Sequence, residues 1–354
     1  MLVPIVTLDA DRYKTIGMDL NRLSSAELLR TRFCDLPIEL EGSLVEQRAQ
    51  VVMDELAERG LRVRPSIWLS EEWFNPDGVS GFAIPFYLVH PRLIRLERKL
   101  MLEAEGVAKH ECLRILRHET GHAVDEAFQL YRTPDYRRVF GSPRQPYPTS
   151  YAVRPNSRDH VLHLNAWYAQ AHPVEDFAET FAVWLRPKRL WRRQYRNWPA
   201  LEKLEALDRW MAECARRSPV VKARHRVAEL AESRRTLGEH YDEKRAFYGV
   251  GKTTRFDAPL RRIFPSSATS ARDHPRKSAV SVLRAIRTPL RKEVARPLGV
   301  PAYAVDQVLR QLIQRARALD LQHTRSTNDT IEALVSLVSR TTIKLIKNSP
   351  RLPL

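Results

Sequence analysis

Apolar and polar positions along the chain follow two rhythms, and each predicts an element. Over 43–59, Val45, Val51, Val52 and Leu56 recur on one side of a helical wheel, and Gly60 supplies the stop. A strand-like stretch follows over 61–69, then the turn Asn75-Pro76-Asp77-Gly78 and a second apolar strand over 82–89. Pro85 interrupts that strand and cannot donate a ladder hydrogen bond, so the strand is expected at or near a sheet edge, open to an extended peptide. A long helix is expected over 107–131, ending before Thr133-Pro134, then a loop rich in proline and arginine over 141–155. The stretch 157–169 reads as helical. Pro173 opens a short, markedly apolar helix over 173–185, and two or more helices fill 198–248. Residues 249–275, with the run Pro265-Ser266-Ser267-Ala268-Thr269-Ser270, read as a linker. Beyond it, 278–347 reads as basic amphipathic helices broken near Pro289, Pro297 and Pro301. There is no internal repeat. The expected class is α+β, divided into an N-terminal segment 1–42, a main unit 43–248, the linker 249–275 and a helical region 276–354.

Composition changes this picture in three places. With 354 residues, 43% of them hydrophobic, and seven tryptophans, the chain can bury a sizeable core. No stretch approaches eighteen uninterrupted apolar residues, so no membrane span is expected. The opening MLVPIVTLDADRYK lacks the basic-then-apolar layout of a secretory signal, and Cys34, Cys112 and Cys214 are odd in number and far apart; a reducing cytoplasm suits them best. The net charge of +17 is uneven. Residues 251–354 hold twenty Lys/Arg against seven Asp/Glu and so carry +13 of it. That basic excess fits an acidic partner or nucleic acid bound through 276–354, although Ile331, Leu334, Val335, Leu337, Val338, Ile343 and Ile346 are spaced for helix packing.

The sharpest chemical signal is His118-Glu119-Thr120-Gly121-His122. Histidines at i and i+4 project from one helix face and can reach one ion, with Glu119 one step round the helix from them. A second segment, Glu175-Asp176-Phe177-Ala178-Glu179-Thr180-Phe181-Ala182-Val183-Trp184-Leu185, carries three acids at one end and almost nothing polar elsewhere. A helix apolar nearly all round is buried, and buried carboxylates must be paired, protonated or bound to metal. Two histidines fall one short of the three protein ligands of a catalytic zinc, and Glu175 is a natural third. Glu179, one turn on, is placed to accept from the free ring N–H of a ligand histidine. The alternative is that these acids only favour the helix N-terminus after Pro173.

The HETGH pentapeptide and the stretch Tyr168-Ala169-x-x-His172-Pro173-x-Glu175-Asp176-Phe177-Ala178-Glu179-Thr180-Phe181-Ala182 resemble the zinc-binding metallopeptidase family of bacteria over about 110–190. They are more distantly similar to the catalytic domain of anthrax lethal factor. The resemblance implies the gluzincin clan, with a zincin-like domain built of a small mixed sheet, an active-site helix and a second buried helix. It implies one zinc ion held by His118, His122 and Glu175, support from Glu179, and peptide hydrolysis with Glu119 as general base. It also implies a catalytic tyrosine seven residues before the ligand glutamate. Tyr168 has that spacing, and Tyr151 stands in a similar Tyr-Ala context. The resemblance does not reach 251–354. The competing reading is an inactive zincin scaffold that acts in interactions through its basic C-terminal region.

Other histidines carry weaker signals. His160 and His163 form H-x-x-H but sit beside Arg158 and Asp159, which favours a solvated helix, and His172 reads as a loop histidine next to Pro173. Asp125 is placed either to orient a ligand or on the surface.

Overall fold

The computed structural model describes residues 18–148, 151, 154, 157–247, 253–264, 277–323 and 326–347. The chain is mostly helical, with a small two-stranded sheet in its first part, which is compatible with an α+β class. After α1 (Ser25–Arg30) comes α2 (Leu44–Glu58), capped by Ser43, which buries Val45, Ala49, Val52 and Leu56. Strands β1 (Ser66–Ser70) and β2 (Gly81–Pro85) pair in parallel, Trp68 opposite Ala83. A third helix that the pattern leaves unassigned, α3 (Pro91–Met101), begins at a proline in the first turn, and α4 (Lys109–Phe128) follows. Gln129 ends α4 in the left-handed region, and α5 (Pro134–Phe140) starts after the Thr133 cap. Helices α6 (Pro173–Trp184), α7 (Lys188–Gln194), α8 (Ala200–Cys214) and α9 (Leu237–Phe247) complete this part. One hydrophobic cluster runs through all of it, from Leu20 to Tyr241, and Tyr303 joins it from further along the chain.

Three expectations fail here. The strand expected over 82–89 stops at Pro85 and turns into a 3₁₀ segment. In a two-stranded sheet β2 is an edge strand, as expected, but not an open one: it is buried at every residue, β1 covers one side, and on the other Ala83 N donates to Phe74 O at 2.9 Å. The helix expected over 157–169 is absent apart from the 3₁₀ segment Asn165–Gln170. Distant side chains satisfy its backbone instead: Tyr195 Oη accepts from Leu162 N at 2.9 Å and Glu179 Oε2 from Leu164 N at 2.8 Å. Finally, 279–298 is not broken near Pro289, although the break expected near Pro297 and Pro301 is there: one helix ends at Leu298 and the next starts at Ala302, after Pro301.

That last stretch belongs to a second hydrophobic cluster, from Phe256 to Val338. It comprises α10 (Asp257–Ile263), a two-residue strand β3 (Lys277–Ser278), α11 (Ala279–Leu298), α12 (Ala302–Ala318), β4 (Gln322–His323) and α13 (Thr327–Lys347). Part of the stretch read as a linker is thus folded, since Phe256, Leu260, Ile263 and Phe264 are buried in this cluster; 265–276 lies outside the described residues. Helix α11 runs through Pro289 because Leu283, Leu290, Val294 and Ala295 are buried along its contact with α12 and α13, which outweighs the lost backbone bond. No helix among the described residues is long and apolar enough to cross a membrane.

Candidate metal centre

Helix α4 is fixed from three sides before any chemistry is considered. Arg117 makes two hydrogen bonds to Glu55 of α2, at 2.7 and 2.6 Å. Asn75 Nδ2 donates to the Glu119 carbonyl at 3.0 Å, and Ser80 Oγ to that of Ala123 at 3.1 Å, tying the helix to the chain before β2. The third side is α6. A Cβ built on Gly121 would lie 3.0 Å from Ala178 Cα and 3.2 Å from its carbonyl oxygen, so glycine here allows two backbones to touch. This contact sets Glu175 opposite the two histidines of α4.

His118 Nε2 lies 3.0 Å from Glu175 Oε2, His122 Nε2 lies 3.4 Å from the same oxygen, and the two ring nitrogens are 3.1 Å apart. Ligand atoms about 2.0–2.2 Å from a tetrahedral ion stand about 3.3–3.6 Å from one another, so the triangle is close to the size one ion requires. The tautomer of His118 follows from its other nitrogen. Nδ1 faces Glu179 Oε1 at 2.9 Å, and a carboxylate only accepts, so Nδ1 carries the proton and Nε2 offers a lone pair. Glu175 Oε2 is buried without a hydrogen-bond donor. Three lone-pair atoms converging in a buried site call for a cation. Among the described residues, His118, His122 and Glu175 form a group able to hold a metal ion, and the donor set of two imidazoles and one carboxylate fits zinc.

Glu119 points into the same cleft, and burial pushes its carboxyl above the usual range. The other Glu175 oxygen accepts from the Tyr147 hydroxyl, which lies 3.3 Å from the Tyr168 hydroxyl. Desolvation and the charge of Glu175 push both phenols up, so both stay protonated and can donate. Tyr168 also packs its ring against His118, with centroids 5.6 Å apart, and Tyr151 stands behind Tyr168 at 6.5 Å. The structure therefore brings Tyr168 beside the cluster and Tyr151 one ring further off, and adds Tyr147, which the sequence did not single out. His172 explains its position: the ring caps α6 by accepting from Val174 N, donates to Gln145 O at 3.0 Å and stacks on Tyr147.

The remaining candidates resolve simply. His163 is buried, not on a solvated helix, and donates to Arg114 O at 2.9 Å; burial pushes it down to about 4. His160 stands 3.8 Å from Asp176, whose other neighbour is Lys203 at 2.6 Å. Asp125 is buried and accepts from Tyr131 N at 2.9 Å, which fastens the turn after α4 and puts it neither on the surface nor on a ligand.

Residues 106–190 match the model of a family described as a putative zinc-binding metallo-peptidase, and this span holds every residue of the cluster. No curated protein and no solved structure matches the chain.

Proposed function

We propose that this chain is a zinc-dependent peptidase of zincin-like, gluzincin type, with its metal held by His118 Nε2, His122 Nε2 and Glu175 Oε2. The observation that carries the reading is the convergence of those three atoms, within 3.4 Å of one another, on a cleft that also receives Glu119. When bound, one zinc ion supplies a Lewis acid with an open fourth position. Glu119 takes a proton from the attacking water and returns it to the leaving amine. Glu179 holds the His118 ring in the tautomer described above. Tyr168 donates its O–H to the oxyanion that develops on the substrate carbonyl, and Tyr147 positions Glu175. The substrate is a protein or peptide. In the division we favour, 43–248 is the catalytic unit and the basic region beyond it is the place for an acidic partner or nucleic acid.

Two variants test this together. Glu175→Ala should lose stoichiometric zinc by elemental analysis. Glu119→Gln should keep zinc and lose cleavage of a mixed peptide library by about 10³-fold or more, the scale of removing a catalytic base. Zinc retained in Glu175→Ala, or undiminished cleavage by Glu119→Gln, contradicts the assignment. A chain that binds zinc at these residues but cleaves no polypeptide would favour the scaffold reading.

A further inference from the structure

The cleft, about 3360 Å³ in volume, is not walled by the first cluster alone. Arg291, Lys292 and Arg296 of α11, and the loop from there to Ala302, line it as well. This piece is seated on both sides of the candidate centre. On one side Ala302 N donates to Glu103 Oε1 at 2.7 Å, just ahead of α4, and the neighbouring Tyr303 is buried in the first hydrophobic cluster. On the other, α11 packs against Asn165–Gln170, the segment that carries Tyr168. Residues 291–302 therefore line the cleft between two seats, Glu103 at the approach to α4 and, through α11, the segment that leads to α6.

The charge on this roof is fixed by its own core. The Asp306 carboxylate, fully buried, accepts from Arg287 at 2.8 and 2.5 Å, from Arg310 at 2.8 Å and from Arg291 at 3.3 Å. Three guanidiniums on one carboxylate leave surplus positive charge on the α11–α12 pair. Lys292 and Arg296 add to it: both are exposed, line the cleft, and have no ion pair among the described residues. Much of the facing acid is already engaged, Glu71 with Arg235 and His240, Glu72 and Glu97 with Lys244, and Glu103 with the Ala302 amide. Glu105 and Glu111, towards the start of α4, and Asp77, Glu126 and Glu232 elsewhere on the wall line the cleft as well and would disfavour a substrate carboxylate near them, so the preference is sought beneath α11.

We propose that residues 291–302 form the roof of the substrate cleft and that Lys292 and Arg296 select acidic side chains on an extended peptide lying beneath them. The proposal rests on the peptidase reading for the peptide but not for the charge preference, and binding separates the two. Full-length, zinc-loaded Glu119→Gln protein is titrated by fluorescence anisotropy with two labelled dodecapeptides that differ only in carrying four glutamates or four glutamines. The acidic peptide should bind about ten-fold more tightly at low salt, the sum of two partly exposed ion pairs. The Lys292→Glu/Arg296→Glu double variant, altered at exposed positions and checked for native circular dichroism and zinc content, should reverse the order. Equal binding of the two peptides, no binding of either, or a preference that survives the double reversal overturns the proposal. Cleavage by the unmutated chain is scored separately. Acidic preference without cleavage sinks the peptidase reading and leaves the roof. Cleavage indifferent to peptide charge, and unaffected by the double reversal, does the opposite.

Discussion

At the scale of single residues, the candidate centre divides into what spacing can reveal and what only folding assembles. His118 and His122 announce themselves because a helix repeats its face every three to four residues, and Glu175 because a carboxylate in an apolar helix needs a partner. Tyr147 gives no such signal. It lies in a loop without periodicity, and its place beside Glu175 depends on the His172 ring beneath it. Replacing Tyr147 by Phe should therefore weaken zinc binding by about ten-fold, the usual cost of losing a group that orients a ligand, measured by competition with a chromogenic chelator. Unchanged affinity would mean that Glu175 is held by other means. His163 offers a test of pH dependence. Its folded value, about 4, lies below its ordinary value of 6.5, so its contribution to stability is complete above pH 6.5 and is lost as the pH falls towards 4. The difference is worth about 3 kcal/mol. Urea unfolding of the wild type and His163→Gln between pH 7 and 4.5 should show that part of the slope vanishing in the variant.

At the scale of elements, the sequence was most legible where a helix buries one stripe, as in α2, and least where backbone bonds run to remote side chains. The stretch 157–169 has helical composition, yet Tyr195 and Glu179 take its amides, and no local pattern could announce partners 33 and 15 residues away. Pro289 of α11 misled for a related reason: local propensity marks a break, and burial against α12 and α13 overrides it, whereas the break near Pro297 and Pro301 is where α11 ends. The decisive element contact is α4 on α6, and it passes through Gly121, a residue of the pentapeptide with no side chain to offer the chemistry. Gly121→Ala should force the helices apart, costing about 1–3 kcal/mol in thermal unfolding and lowering zinc affinity in parallel. Full zinc affinity in a destabilised Gly121→Ala protein would show that the spacing of the two helices does not control the centre.

At the scale of the whole molecule, the uneven charge was visible in composition, but its location over the cleft was not, because the seat joins residues 199 positions apart. The second cluster depends on a buried charge balance that makes it sensitive to one substitution. Asp306→Ala leaves Arg287, Arg291 and Arg310 facing one another and should destabilise this cluster by about 3–5 kcal/mol, read as earlier urea unfolding followed by hydrogen exchange in α11 and α12. The central claim remains the meeting of one helix's two imidazoles with a carboxylate from a later helix. Anomalous diffraction at the zinc edge from crystals of the zinc-loaded full chain tests it directly. The account predicts one strong peak about 2.0–2.2 Å from His118 Nε2, His122 Nε2 and a Glu175 carboxylate oxygen. A peak elsewhere, or one bound by the histidines with Glu175 turned away, would contradict it.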